Sequence, residues 1–110
     1  MDRASLIADQ LLLIEAELRQ LDWWESTAPS EEALASVEPF CVDTLSFAQW
    51  LQWIFLPRMK AIIERGEALP AASGITVMAE VVYRESPVRV RALLGTLRRF
   101  DKLIAGSFSD

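Results

Sequence analysis

Ile7, Leu11, Ile14, Leu18 and Leu21 recur in alternating steps of four and three residues, the spacing that aligns side chains along one face of an α-helix. Leu6 and Leu13 widen the stripe, so the pattern predicts a first amphipathic helix from Asp2 to about Trp24. The periodicity then fails from Glu25 to Leu45, where Pro29 and Pro39 interrupt the chain and Ser30-Glu31-Glu32 can start one short helical turn. A connection this long is either functional or packed down by its own side chains, and Val37, Phe40 and Val42 favour packing.

Ser46 with Gln49 forms a capping-box pattern that opens a second helix. Its stripe is Phe47, Leu51, Ile54 and Ile62, with Trp50 and Phe55 at the edges, and Gly66 closes it. Pro57 in its middle removes a backbone donor and crowds the carbonyl of Trp53, which predicts a kink. After a break from Leu69 to Gly74, Ile75, Met78, Val81 and Val82 predict a third, shorter helix ending near Glu85. Ser86-Pro87 is a start signal for a fourth, with Val90, Leu93, Leu94, Leu97, Phe100 and Ile104 on one face and Gly106 past its end. Four amphipathic helices predict an all-α fold: one domain over residues 1–110, a four-helix antiparallel bundle with a long first connection and a Pro-kinked second helix.

Composition narrows the functional classes. Apolar residues make up 52% of the chain, which excludes disorder. The longest uncharged stretch, Thr44 to Pro57, is shorter than the roughly 20 apolar residues of a membrane span, and the start Met1-Asp2-Arg3 is unlike a secretory signal. The cytoplasm is therefore the expected location, with no membrane partner. Cys41 is the single cysteine, so a buried, inert thiol is expected rather than a disulfide or a metal cluster. Histidine is absent, which removes the commonest general base and transition-metal ligand, and no phosphate-cradling glycine loop is present. Glu15, Glu17 and Asp22 read as a solvated helix face. No catalytic residue, metal site or cofactor is predicted.

Two charges fall on apolar stripes. Arg58 lies four residues after Ile54 and four before Ile62; Asp101 lies four after Leu97. Both should face the core, so a buried Arg58–Asp101 ion pair is expected, with Asp43 as the next carboxylate. In the functional alternative, the Pro57 kink turns Arg58 outward to grip a carboxylate or phosphate of a partner. Tryptophan supplies a second signal, since Trp23 and Trp24 cannot both face inward from one helical turn and Trp53 lies about 60° around its helix from Trp50. Gln49, Gln52, Trp53 and Leu56, with Arg58, are thus a predicted partner-binding surface, unless the 25–45 loop folds over these rings.

The net charge of −5 is divided unevenly: residues 1–56 carry ten acidic and two basic side chains, residues 57–110 nine basic and six acidic. The halves can neutralise each other within one chain or between two copies. Arg91, Arg98 and Lys102 share a face of the last helix, as an RNA-contacting stripe would, but no aromatic residue is interleaved for base stacking.

The stretch Gln49-Trp50-Leu51-Gln52-Trp53-Ile54-Phe55-Leu56-Pro57-Arg58-Met59, with Pro39-Phe40, Asp43-Thr44 and Leu69-Pro70 around it, closely resembles the bacterial YqcC-like family over nearly the whole chain. The resemblance implies a four-helix all-α domain. It supplies no mechanism, because the family's function is unknown, although members are often encoded beside a tRNA pseudouridine synthase and some carry that enzyme's name. Such synthases use a catalytic aspartate on a larger α/β domain, so Asp43 and Asp101 do not qualify for that role. The expectation is a non-catalytic accessory or adaptor protein whose partner is a protein such as that synthase, with RNA binding through the last helix as the alternative.

Overall fold

In the computed structural model, which describes residues 2–70 and 73–106, the first helix begins on a side chain supplied by the sequence. Asp2 accepts a hydrogen bond from the Ser5 amide at 2.7 Å and caps α1 (Arg3–Gln20). That bond and the Ser5 hydroxyl hold the Asp2 carboxyl below its usual range. The helix ends earlier than its stripe predicts. Asp22 turns to a φ of 63°, its amide donates to the Arg19 carbonyl at 3.1 Å, and the Trp23 amide donates to the Leu18 carbonyl at 2.9 Å. This paired closure ends the helix before either tryptophan, so Trp23 and Trp24 belong to the following loop.

The loop carries α2 (Glu31–Leu34), capped by Ser30, and a tight turn at Pro39–Cys41. Phe40 packs against Phe47 and Trp50, whereas Val37 and Val42 are exposed and do not pack it down. Cys41 is buried.

The second helix is a rod of three parts: α3 (Phe47–Trp50), a π-helical turn (Leu51–Phe55) and α4 (Leu56–Arg65). Ser46 and Gln49 close a complete capping box at its start. The predicted disturbance at Pro57 is a widened turn, in which the Leu56 amide reaches back to the Leu51 carbonyl. Such a turn contains one extra residue and rotates everything after it by about 100° relative to an unbroken α-helix. Phe55 and Met59 are buried as a result, while Ile54 and Ile62 are half-buried and Arg58 is exposed.

In α5 (Ile75–Val82) the buried residues are Ile75, Thr76 and Ala79; Met78 is half-buried and Val81 and Val82, expected to face the core, are exposed. The last helix, α6 (Arg91–Ala105), starts after Ser86-Pro87 rather than on it, because residues 87–90 form a separate turn that buries Val90. Its stripe, Leu93, Leu94, Leu97, Phe100 and Ile104, is buried throughout.

α1 and α6 run in opposite directions. Arg3 at the start of α1 donates to the Leu103 carbonyl at 2.6 Å and to the Ile104 carbonyl at the end of α6, and Thr96 donates to Gln10 Oε1 at 2.8 Å halfway along. Lys60 of α4 lies 3.5 Å from Glu15 of α1. The described residues form an all-helical fold with no strand among them. Its core gathers the stripes of α1, the composite helix and α6 around Phe100, whose ring meets Phe55 edge-on at 5.0 Å. No described helix is long and apolar enough to cross a membrane.

Candidate functional site

The first turns of the composite helix present three amide and indole groups to one residue of the preceding loop, Glu25. Gln52 is buried, and its carboxamide accepts from the Glu25 amide at 2.8 Å while donating to the Glu25 carbonyl at 2.7 Å. Trp53 Nε1 donates to Glu25 Oε1 at 3.2 Å, and Gln49 Nε2 reaches both carboxylate oxygens at 3.3 Å. The other end of the Gln49 side chain is held by the Ser46 amide at 2.8 Å. Gln49, Gln52 and Trp53 are thus brought together, but as a clamp on Glu25 rather than as an open patch. Leu56 is 1% exposed and belongs to the core. The loop provides the cover for the Trp53 indole, and the expected contact surface is corrected accordingly.

Arg58 and Asp101 do not meet. Arg58 is exposed and makes no ion pair among the described residues, because the inserted π-turn residue hands its core position to Met59. It edges an open cleft of about 410 Å³ with Glu38, Phe40, Trp50 and Ile54. Asp101 is half-buried and serves the start of α5. Its Oδ2 accepts from the Thr76 amide at 3.0 Å and the Thr76 hydroxyl at 2.6 Å, and its Oδ1 accepts from Ser73. Gly74 stands at the N-cap with a φ of 65° and no side chain, so Asp101 supplies from another helix the acceptor and the negative charge that a helix start favours. Asp43 is exposed and accepts from the Ser36 hydroxyl at 2.5 Å.

Beside the Glu25 clamp, Trp23 stacks on Tyr83 at 5.1 Å and Arg89 covers Trp23 at 5.3 Å. Burial pushes the Tyr83 phenol up to about 12. Trp24 is covered in turn by Arg19, 4.6 Å from its ring. Sequence reasoning missed Glu25, Tyr83 and Arg89. The one signal in the sequence was the row of donors at Gln49, Gln52 and Trp53, too many for a face that packs on apolar groups.

Of the basic residues on the last helix, Arg91 and Lys102 are exposed, and Arg98 pairs with Glu80 at 3.1 Å. Arg91 and Arg98 edge a cleft of about 380 Å³ with Pro87, Val88 and Leu94. Among the described residues no three metal-ligating side chains gather.

A family model described as tRNA pseudouridine synthase C matches residues 6–103. A protein of Escherichia coli, YqcC, is 30% identical over 100 residues, which are 91% of this chain and 92% of that one. The chain belongs to the YqcC-like family. The solution structure of E. coli YqcC superposes on this YqcC-like chain with a TM-score of 0.85 at 28% identity, covering 100% of this chain and 94% of that one. An uncharacterised protein of Haemophilus influenzae is 42% identical over 72 residues, 66% of this chain and 68% of its own length. A Pectobacterium carotovorum protein named tRNA pseudouridine synthase C is 44% identical over 70 residues, which are 64% of this chain but 19% of that protein. This YqcC-like unit therefore corresponds to about a fifth of that longer polypeptide.

Proposed function

We propose that this YqcC-like unit is a non-catalytic accessory module that binds a tRNA pseudouridine synthase. The observation that carries the reading is the Pectobacterium protein, in which a segment like this one shares a polypeptide with a much longer remainder under the synthase's name. Joining two units in one chain raises the effective concentration of one at the other, which benefits units that work in contact. Gln49, Gln52 and Trp53 are engaged in holding Glu25, and Asp101 in capping α5, so the polar side chains of this region serve the fold itself. We read the helices as a four-helix antiparallel bundle, counting 47–65 as one, and place the protein in the cytoplasm with its tRNA-modifying partner.

Titration of the purified chain with tRNA pseudouridine synthase C, followed by tryptophan fluorescence, is the test. A saturable complex with a Kd of about ten micromolar or tighter is expected, the range of transient but specific association. No binding at several times that concentration, with both proteins folded, overturns the reading.

The exposure of Arg91 and Lys102 supports a second reading, contact with the tRNA itself through Arg91, Arg98 and Lys102. It is weaker because Glu80 already engages Arg98. Affinity for tRNA that falls steeply with rising salt would favour it.

A further inference from the structure

We infer that the face formed by α5 and the start of α6 docks an acidic, apolar segment of a partner protein, an assignment that rests on the accessory reading above. Val77, Glu80 and Val81 share one face of α5 by their spacing, and Val77 is 67% and Val81 57% exposed. Glu80 bonds to Arg98, which carries the face across to α6 and to the cleft that Arg98 lines with Pro87, Val88, Arg91 and Leu94. Val88 is 73% exposed. Three large apolar side chains thus stand in solvent on one continuous surface, the kind of patch that marks a contact site.

Charge selects the occupant. Arg91 lines the cleft with Val88, Arg84 follows Val81 by three residues just past the end of α5, and Lys102 follows Arg98 by four on α6; all three are exposed and have no ion pair among the described residues. Arg98 is held only by an exposed pair with Glu80, both side chains about half accessible, and such a pair is weak enough to yield to a better-placed carboxylate. A segment with apolar side chains for the valines and carboxylates for the arginines matches the surface on both counts. Nucleic acid matches it on one count. Valine offers no ring for base stacking, Glu80 stands among the cations, and the nearby aromatic pair is closed, Trp23 lying on Tyr83 with Arg89 over it.

The test uses the full chain, isotopically labelled, with purified tRNA pseudouridine synthase C as the probe. Backbone resonances around Val77, Val81, Val88 and Arg91 should shift or broaden. Val81→Asp and Arg91→Glu should each weaken binding about tenfold or more while leaving the thermal melt unchanged, whereas Leu13→Asp on α1 and Arg58→Ala should bind as wild type. Binding that survives both face variants, or that maps to another face, overturns the assignment. If the synthase does not bind at all, the accessory reading has failed. The face is then probed with a synthetic amphipathic helix carrying leucine on one side and glutamate on the other. Shifts confined to the same residues uphold the surface. Shifts elsewhere, no shifts, shifts caused by tRNA in preference to the peptide, or self-association of the chain through this face overturn it.

Discussion

Gln52 pairs with both backbone groups of Glu25, accepting from its amide at 2.8 Å and donating to its carbonyl at 2.7 Å. A carboxamide carries an acceptor and a donor side by side on one planar group, so it can complement a peptide N–H and C=O together. The pair therefore fixes where the chain goes after α1 ends, and it brings the Glu25 carboxylate under Trp53 and Gln49.

Replacing Gln52 by leucine fills the space but leaves two part-buried backbone groups of Glu25 without partners. Each such loss costs about 1 to 3 kcal/mol, and part-buried groups fall in the lower part of that range because water still reaches them, so Gln52→Leu should lower stability by about 2 to 4 kcal/mol in urea unfolding. A change below about 0.5 kcal/mol, the range of ordinary surface substitutions, would show that the clamp does not hold the loop.

Asp101→Leu removes the acceptor from the first turn of α5 and should cost about 2 kcal/mol. Arg58→Met, at an exposed position, should stay within about 0.5 kcal/mol of wild type. The double variant should equal the sum of the singles to within about 0.5 kcal/mol. A double-mutant cycle with strong coupling would restore the ion pair that the structure does not contain.

Tyr83 is the single tyrosine, so its ionisation can be followed by absorbance without interference from another phenol. The folded protein should titrate near pH 12 rather than 10. Because the folded value lies above the unfolded one, this group's contribution to stability is complete below pH 10 and is lost as pH rises towards 12. A midpoint near 10 in protein still folded by circular dichroism would mean the ring is open to water.

Arg3 places a guanidinium on the last carbonyls of α6, where the helix end carries partial negative charge. Arg3→Met should lower the urea midpoint, with a loss of about 1 kcal/mol that shrinks as salt is added. An unchanged midpoint at low salt would argue that the contact contributes nothing in solution.

Some elements could be read along the chain almost residue by residue. Ile7, Leu11, Ile14 and Leu18 are all buried, as are Val90, Leu93, Leu94, Leu97, Phe100 and Ile104, because a regular helix repeats its burial every three to four residues. The capping box at Ser46 and Gln49 is local in the same sense. The α5 stripe was misread because valine is apolar wherever it stands, and on so short a helix the pattern cannot separate core positions from an exposed contact face. Positions 71 and 72 of the predicted break lie outside the described residues.

By itself, the sequence determined that this protein is helical, where its main helices lie and that Pro57 disturbs the second of them. Tertiary structure alone decided what the disturbance does. Pro57 denies its turn a hydrogen-bond donor, but whether the helix bends or takes in an extra residue depends on what packs against it downstream. Here the extra residue sends Met59 inward and Arg58 to solvent. The Glu25 clamp was hidden for a related reason. It joins residues 24 to 28 positions apart across an irregular loop, and periodicity carries no information about the path of a segment that has no period.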